Sequence, residues 1–467
     1  MTVVSAEPDS SSSPAPVDLR QHAQAHPQTR PIPEPRSKMR ILYLCHRLPY
    51  PPDKGDKIRA FNQIRALSRR HRIHLLTLAD SEVPNLAPLE ELCERVEVFP
   101  MPRMGAYVRA ALAIASSRPL TLSFFDSAEL RQRVQELART ECFDLVVVYS
   151  SSMAPYAEPF QGVPAVLDMV DVDSAKWAQY SRFAPFPMRP VYALEARRLQ
   201  AYESSLTGRF ERIVLATGNE TRLLKAFAPD AKAATVANGV DLEFFRPMEL
   251  PKTPHPTIVF TGQMDYFANV DGMVHFSRNI LPRLRQRFPE LELLIVGRSP
   301  APAVRALGEL PGVHVTGAVG DVRPFLDRAW AFVAPLRIAQ GVQNKVLEAM
   351  AMNLPVVCTD RVFAGLSEGG FRHGRDLLAA ADDQGLEDCL ADLLEDAGAR
   401  ASLAENARQR LTISYRWTTN MERFEEILTG AAARRTASGS GALPRVSALP
   451  MAMPASPVRV GETVRSA

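Results

Sequence analysis

Cysteine is scarce and scattered in this chain of 467 residues: Cys45, Cys93, Cys142, Cys358 and Cys389 are the only five, and none forms a C-x-x-C pair. Such spacing offers neither a zinc site nor a disulfide framework, and it fits a reducing cytoplasm. Long apolar runs are missing too. No stretch of about 18 uninterrupted apolar residues occurs, so no membrane-spanning helix is expected. Residues 1–30, rich in Pro, Ser and Gln, lack the apolar segment of a secretory signal. Charge imbalance is slight, with 55 Lys and Arg against 52 Asp and Glu. The basic excess gathers near the C-terminus, where Arg434, Arg435, Arg445, Arg459 and Arg465 face only Glu462. A near-neutral middle excludes a dedicated nucleic-acid binder, which needs a basic footprint on its folded part. The first strand-to-helix turn also lacks G-x-G-x-x-G, which argues against a nicotinamide-dependent oxidoreductase.

With 46% hydrophobic and 23% charged residues, the chain can bury a sizeable core, and its length suggests two or three domains at about 150 residues each. Residues 1–38 and 431–467 are rich in Ser, Pro, Ala and Gly and are expected to be disordered tails. Between them, short β-rich runs alternate with amphipathic segments: ILYLC (41–45), IHLLTL (73–78), DLVVVYS (144–150) and AVLDMV (165–170), then TIVFTG (257–262), LELLIVG (291–297), VHVTG (313–317), AFVAPL (331–336) and PVVCT (355–359). This is the pattern of parallel strands with crossover helices. The fold class expected is α/β, with two Rossmann-like doubly wound domains facing a central cleft. The first spans 39–237 and the second 257–412, with a hinge over 238–256, where Asn238-Gly239 and four prolines forbid helix and central strand. A helix over 413–430 is expected to return to the N-terminal domain. The carboxyl ends of both sheets then share one site.

Two segments could carry chemistry. After the first strand, CHRLPYPPDKGDKIRAFNQI places three prolines and then Gly55 before a helix whose N-terminus suits an anion; a rigid loop that merely ends a strand is the plain alternative. His46 in this turn could bond an acceptor or be an ordinary turn histidine. The second segment is PLRIAQGVQNKVLEAMAMNLPVV (335–357). Here a strand delivers Arg337 to its carboxyl end, Gly341 permits a tight turn, and a helix opens with free N–H groups near Val342, Gln343 and Asn344, which is a phosphate cradle. Lys345 adds charge in a chain that has only eight lysines. Glu348 follows Asn344 by one helical turn, about 6 Å along the axis, roughly the span from a nucleotide's phosphates to its ribose diol. An ordinary surface pair of Lys345 and Glu348 is the alternative. The triplet Asp171-Val172-Asp173 imitates a D-x-D metal motif, but in a two-domain frame Asp171 would instead orient acceptor or sugar hydroxyls. Trp177 could be core or a sugar-stacking face. PMPRMGAYVRAALAIASSRP (100–119) reads as one apolar helix with interspersed arginines, able to lie in a headgroup layer or to pack on the sheet.

GVQNKVLEAMAMNLPVV is similar to the donor-binding segment of retaining glycosyltransferases of family four, which have the GT-B fold. Together with RILYLCHRLPYPPDKGDKIRAF, LDMVDVDSAKWAQYS and TGQMDYFANVDG, it resembles the sugar transferases of exopolysaccharide and exosortase (PEP-CTERM) systems over about residues 40–430. The resemblance implies a nucleotide-diphosphate sugar as donor, a glycan or polyprenyl-diphosphate-linked acceptor, retention at the anomeric carbon, and no cofactor or metal. It implies a cytoplasmic enzyme, with peripheral contact at the inner face of the membrane as a further expectation. Lys345, Arg337 and Glu348 would act on the leaving group and ribose. Gly55, Gly262, Asn269, Arg298, Gln340, Gly341, Val342, Gln343 and Asn344 would hold the donor, and His46 and Asp171 the acceptor. Two departures stand out. Gln340 occupies a position where the wider family has Glu, and Gln263 follows Gly262 where the family continues to an Arg and a Lys, so Arg337 and Lys345 are expected to neutralise the diphosphate. A nucleotide-sugar epimerase of the same architecture and a degenerate nucleotide-sugar-binding protein are the competing readings.

Overall fold

A computed structural model describes residues 38–79, 85–339 and 341–438. Gln340 and nearly all of the two expected tails lie outside the described residues. The N-terminal half forms a parallel sheet of seven strands: β1 (Arg40–Cys45), β2 (Arg72–Ala79), β3 (Arg95–Pro100), β4 (Leu145–Tyr149), β5 (Ala165–Val170), β6 (Arg212–Leu215) and β7 (Ala233–Thr235), in the order β3-β2-β1-β4-β5-β6-β7. Six more strands make the second sheet: β8 (Thr257–Thr261), β9 (Glu292–Val296), β10 (Val313–Gly317), β11 (Ala331–Ala334), β12 (Val356–Thr359) and β13 (Leu378–Ala380), ordered β10-β9-β8-β11-β12-β13. Continuous runs of large hydrophobic residues such as Ile41–Leu44, which includes Tyr43, and Leu145–Val148 are fully buried, as strands covered by helices on both faces require. Both sheets reverse direction of growth beside their first strand, β1 to β4 and β8 to β11, and at these switch points the carboxyl ends open a crevice.

Helices differ from the sequence reading in informative places. The expected single helix over 100–119 is Arg103–Leu112, followed by one 3-10 turn at Ala113–Ala115 and a separate helix Leu120–Phe124; the backbone is already extended at Ser116, and Pro119, which lacks an N–H, stands at the N-cap of the second helix. The helix expected around 270–287 is Phe267–His275 and Leu281–Arg287, joined through a π turn at Phe276–Ile280. The last helix, Trp417–Ser438, lies on the first sheet: Trp417, Met421, Phe424, Leu428 and Ala431 pack with Ile41, Tyr43, Leu75 and Val147. It runs on through 431–438, into the span that composition assigns to the tail.

Candidate active site

Three turns from the first domain meet three from the second across the crevice. The turn after β1 carries His46 to Gly55, the turn after β5 carries Asp171, and the chain after β7 carries Asn238. Opposite them stand Gly262 after β8, Arg298 after β9, and the segment from Arg337 to Glu348 after β11. Arg298 crosses over: its guanidinium donates to Asp53 Oδ2 at 2.6 Å and to the Asp53 carbonyl at 3.2 Å.

The helix Asn344–Ala351 begins at the crevice with Gln343 as its N-cap, and no side chain caps it. Among the described residues the Asn344 and Lys345 N–H groups meet no side-chain acceptor and can take a ligand oxygen, whereas the Val346 N–H donates to the Gln343 carbonyl at 2.9 Å. Lys345 Nζ donates to Asn269 Oδ1 at 2.5 Å and stands 4.9 Å from the Phe260 ring centroid. Asn269 in turn donates through Nδ2 to the Gln263 carbonyl at 2.8 Å, closing the turn at Gly262. A Cβ placed on Gly262 would lie 3.5 Å from the Lys345 ammonium and 2.9 Å from Asn269 Nδ2. Lys345 and Glu348 keep part of their surface open to the crevice, yet burial dominates their protonation. It pulls the Lys345 ammonium down to about 8, with Glu348 partly offsetting it. It pushes the Glu348 carboxyl up to about 7, with Lys345 partly offsetting it. The Glu348 carboxylate makes no hydrogen bond among the described residues, while its carbonyl accepts from the Met352 N–H.

Arg337 behaves otherwise. It sits on Asp271 through two bonds, Nε to Oδ2 at 3.0 Å and Nη2 to Oδ1 at 2.5 Å, and over the Phe183 ring. The expected sharing of a diphosphate between Arg337 and Lys345 therefore meets a neutralised arginine: a bidentate carboxylate already satisfies its fork. The cation that reaches the Gly262 turn is Lys345. Arg337 instead fixes the helix Phe267–His275, which bears both Asp271 and Asn269.

Gly341 has φ +60°, the left-handed region, and a Cβ there would overlap Asp171 Oδ1. So Asp171 and Gly341 touch across the crevice. Two buried glutamates hold the Asp171 turn, Val172 N–H donating to Glu220 at 2.6 Å and Ser174 N–H to Glu203 at 3.1 Å. Val170, just before it, is β-branched with φ +68°, a strained conformation that such carboxylate clamps can maintain. Burial raises the Asp171 carboxyl to about 6 against the pull of Lys176 and Arg59. Beside it lies a cavity of about 50 Å³ lined by Asp171, Lys176, Tyr180, Tyr266, Gln343 and their neighbours. Tyr180 bonds the Tyr266 hydroxyl at 2.6 Å, and Trp177 packs with Tyr180 and Tyr192 in an apolar cluster that spans both domains. His46 stacks on Tyr149 and lies 3.5 Å from Asp56, while its Nδ1 is buried without a hydrogen bond among the described residues. Val342 is half-buried between Gly341 and the N-cap.

Sequence reasoning assigns no site role to Lys176, Tyr180, Tyr266, Asn238, Arg59 or Asp168. One signal points to Lys176: lysine is rare in this chain, and this one stands three residues after Asp173, the last of the Asp171 triplet.

Residues 255–396 match the family described as Glycosyl transferases group 1. Over 258 residues the chain is 28% identical to the phosphatidyl-myo-inositol mannosyltransferase of Mycolicibacterium smegmatis, a match covering 52% of this chain and 63% of that protein. The chain thus spans less than two thirds of the length of that curated relative. Among solved structures it is similar to sucrose-phosphate synthase from Thermosynechococcus elongatus, at 13% identity and a TM-score of 0.64 over 85% of this chain and 100% of that one. It is also similar to Anabaena HepE in complex with UDP-glucose, at 15% identity and a TM-score of 0.57 over 84% and 100%. At such identities the likeness concerns architecture: two Rossmann-like domains in the GT-B arrangement, the second of which contains the segment that matches Glycosyl transferases group 1.

Proposed function

We propose that this protein is a retaining glycosyltransferase that takes its sugar from a nucleotide-diphosphate donor and gives it to a glycan or polyprenyl-diphosphate-linked acceptor in exopolysaccharide synthesis. One observation carries the reading: Lys345, bonded to Asn269 at the mouth of an uncapped helix, with Glu348 one turn further on. In this reading the helix N-terminus and Lys345 meet the diphosphate, and Glu348 accepts from the ribose diol. Asp171 and Lys176 in the small cavity meet sugar or acceptor hydroxyls. As the bond from anomeric carbon to phosphate oxygen breaks, negative charge grows on the diphosphate where these donors already point. The acceptor oxygen forms its bond to the same face of that carbon, and its proton passes to the departing phosphate oxygen. Atoms and charge balance without an enzyme base, a metal or a cofactor. Closure about 238–256 keeps water from competing.

The similarity to a phosphatidyl-myo-inositol mannosyltransferase and to HepE in complex with UDP-glucose supports a lipid-borne acceptor and a nucleotide-sugar donor. Membrane contact is part of the proposal as well. Helix Arg103–Leu112 exposes Met104 at 77% and Leu112 at 73%, with Tyr107, Val108 and Ile114 also exposed, an apolar face flanked by arginines that suits an anionic headgroup layer.

A thermal-shift screen of nucleoside diphosphates and their sugars tests the donor, since a ligand that binds the native state raises Tm. Product NMR then tests retention. Stabilisation by at least one diphosphate and a product with the donor's anomeric configuration are expected; no stabilisation by any of them overturns the reading. Recovery on anionic vesicles equal to that on neutral ones would remove the membrane contact.

A further inference from the structure

A fully buried guanidinium lies under the crevice. Arg59, on helix Gly55–Leu67, has no exposed surface and forks onto Asp168 of β5, Nε to Oδ2 at 2.8 Å and Nη2 to Oδ1 at 3.3 Å. Asp168 is itself fully buried and also accepts from Gln63 Nε2 at 2.5 Å and the Val170 N–H at 3.1 Å. The remaining Arg59 contacts run toward the second domain. Nη1 donates to the Val236 carbonyl at 2.9 Å and to Asn238 Oδ1 at 2.8 Å. Asn238 Nδ2 then donates to Asn344 Oδ1 at 3.1 Å.

This chain of bonds has only one possible polarity. Arginine donates and never accepts. It therefore claims the oxygen of the Asn238 amide, which leaves that amide's nitrogen for Asn344. Asn344 must answer with its oxygen, so its own NH2 turns outward. There Asn344 Nδ2 faces the turn at Gly55, where an added Cβ would stand 3.7 Å from it, and it makes no hydrogen bond among the described residues. The buried ion pair thus fixes which end of an amide is shown to the crevice, an assignment that an isolated asparagine leaves open.

We propose that Asn238, anchored by Arg59, is a positioning residue: it holds Asn344 with both amide N–H groups directed into the crevice, where they bond the diphosphate oxygens of the donor next to Lys345. This rests on the donor reading given above. Its chemistry predicts a preference for anionic, acceptor-only oxygens at this point.

The test compares binding of UDP, GDP and ADP with that of the corresponding nucleosides, by calorimetry and ligand-observed NMR, on the full chain. Asn238→Asp still accepts from Arg59 but offers Asn344 no donor, so Asn344 should reverse and show its oxygen to phosphate. The expected result is a loss of at least tenfold in diphosphate affinity with nucleoside affinity unchanged. Asn344→Ala, at a partly exposed position, should lose a similar factor. On that background Asn238→Asp should add little, because one acts through the other. Additive losses, or an unchanged ratio of diphosphate to nucleoside affinity in folded variants, overturn the proposal while leaving the donor reading intact. Failure of the unsubstituted chain to bind any of the three diphosphates overturns both.

Discussion

Lys345 and Glu348 are shifted toward each other, the ammonium down to about 8 and the carboxyl up to about 7. A ribose diol needs the carboxylate and a diphosphate needs the ammonium. Donor affinity should therefore fall as pH drops through about 7 and again as it rises through about 8. Titrating KM for the donor against pH checks this, and Glu348→Gln should erase the acid limb only. The same shifts act on stability. Between 4.5 and about 7 the folded chain holds a proton at Glu348 that the unfolded chain has lost, so this group's contribution declines as pH rises. Between about 8 and 10.5 the unfolded chain holds the extra proton at Lys345, and the contribution recovers. At neutral pH the Lys345 ammonium is largely charged and the Glu348 carboxyl about half so, both in a poor solvent for charge. Replacing the pair together, Lys345→Met with Glu348→Gln, should raise stability by on the order of 1 kcal/mol while abolishing transfer. A lower Tm for the double variant would contradict this account. Lys345→Ala alone should cut turnover by about 100-fold or more, the usual effect of losing one donor to a developing oxyanion; near-full activity would refute its assignment.

Among the elements, the turn at Gly341 shows the closest fit. Gly341→Ala meets two obstacles, a left-handed φ and the Asp171 carboxylate. The backbone alone costs about 1 kcal/mol, and displacing Asp171 should lower kcat/KM by at least tenfold, measurable beside a small fall in Tm. Gly297→Ala should be worse for folding, because its Cβ would overlap the Gly262 carbonyl and force β8 and β9 apart. Most strands visible in the sequence have unbroken apolar cores; VHVTG is visible without one, and β6 is missed although Ile213, Val214 and Leu215 form one. Sequence reading also passes over β3, β7 and β13. RVEVFP alternates charge with apolar residues at a sheet edge, while AAT and LAA are too short and too alanine-rich to signal extended structure. At the site, spacing along one helix made Lys345 and Glu348 visible. The pairing of Arg337 with Asp271, 66 residues away, and of Arg59 with Asp168, 109 away, was not. Local pattern carries no term for partners that only the folded sheet brings together.

For the whole molecule, the strength of each cross-crevice contact follows its burial. The Arg298 to Asp53 pair is about a third exposed on both sides, so it contributes about 0–1 kcal/mol and weakens with salt. Asp53→Asn should leave Tm nearly unchanged while raising the donor KM, and salt should raise the KM of the unsubstituted chain toward the same value. The C-terminal helix is another matter. Phe424 is fully buried on the first sheet although it follows the entire second domain in sequence. Phe424→Ala should cost about 3–5 kcal/mol, seen as a large drop in the denaturation midpoint.

That return passage means the polypeptide runs between the two lobes twice, and the passages are laced together. The Val240 N–H donates to the Tyr415 carbonyl at 2.9 Å, Asn420 donates to the Asn238 carbonyl at 2.9 Å, and Gly239 abuts Trp417 too closely to admit a Cβ. A single strap would let one lobe swivel freely. Two straps side by side resist torsion and leave a swing about one line, so each opening should retrace the same arc and bring Asn344 back to Asn238 in register.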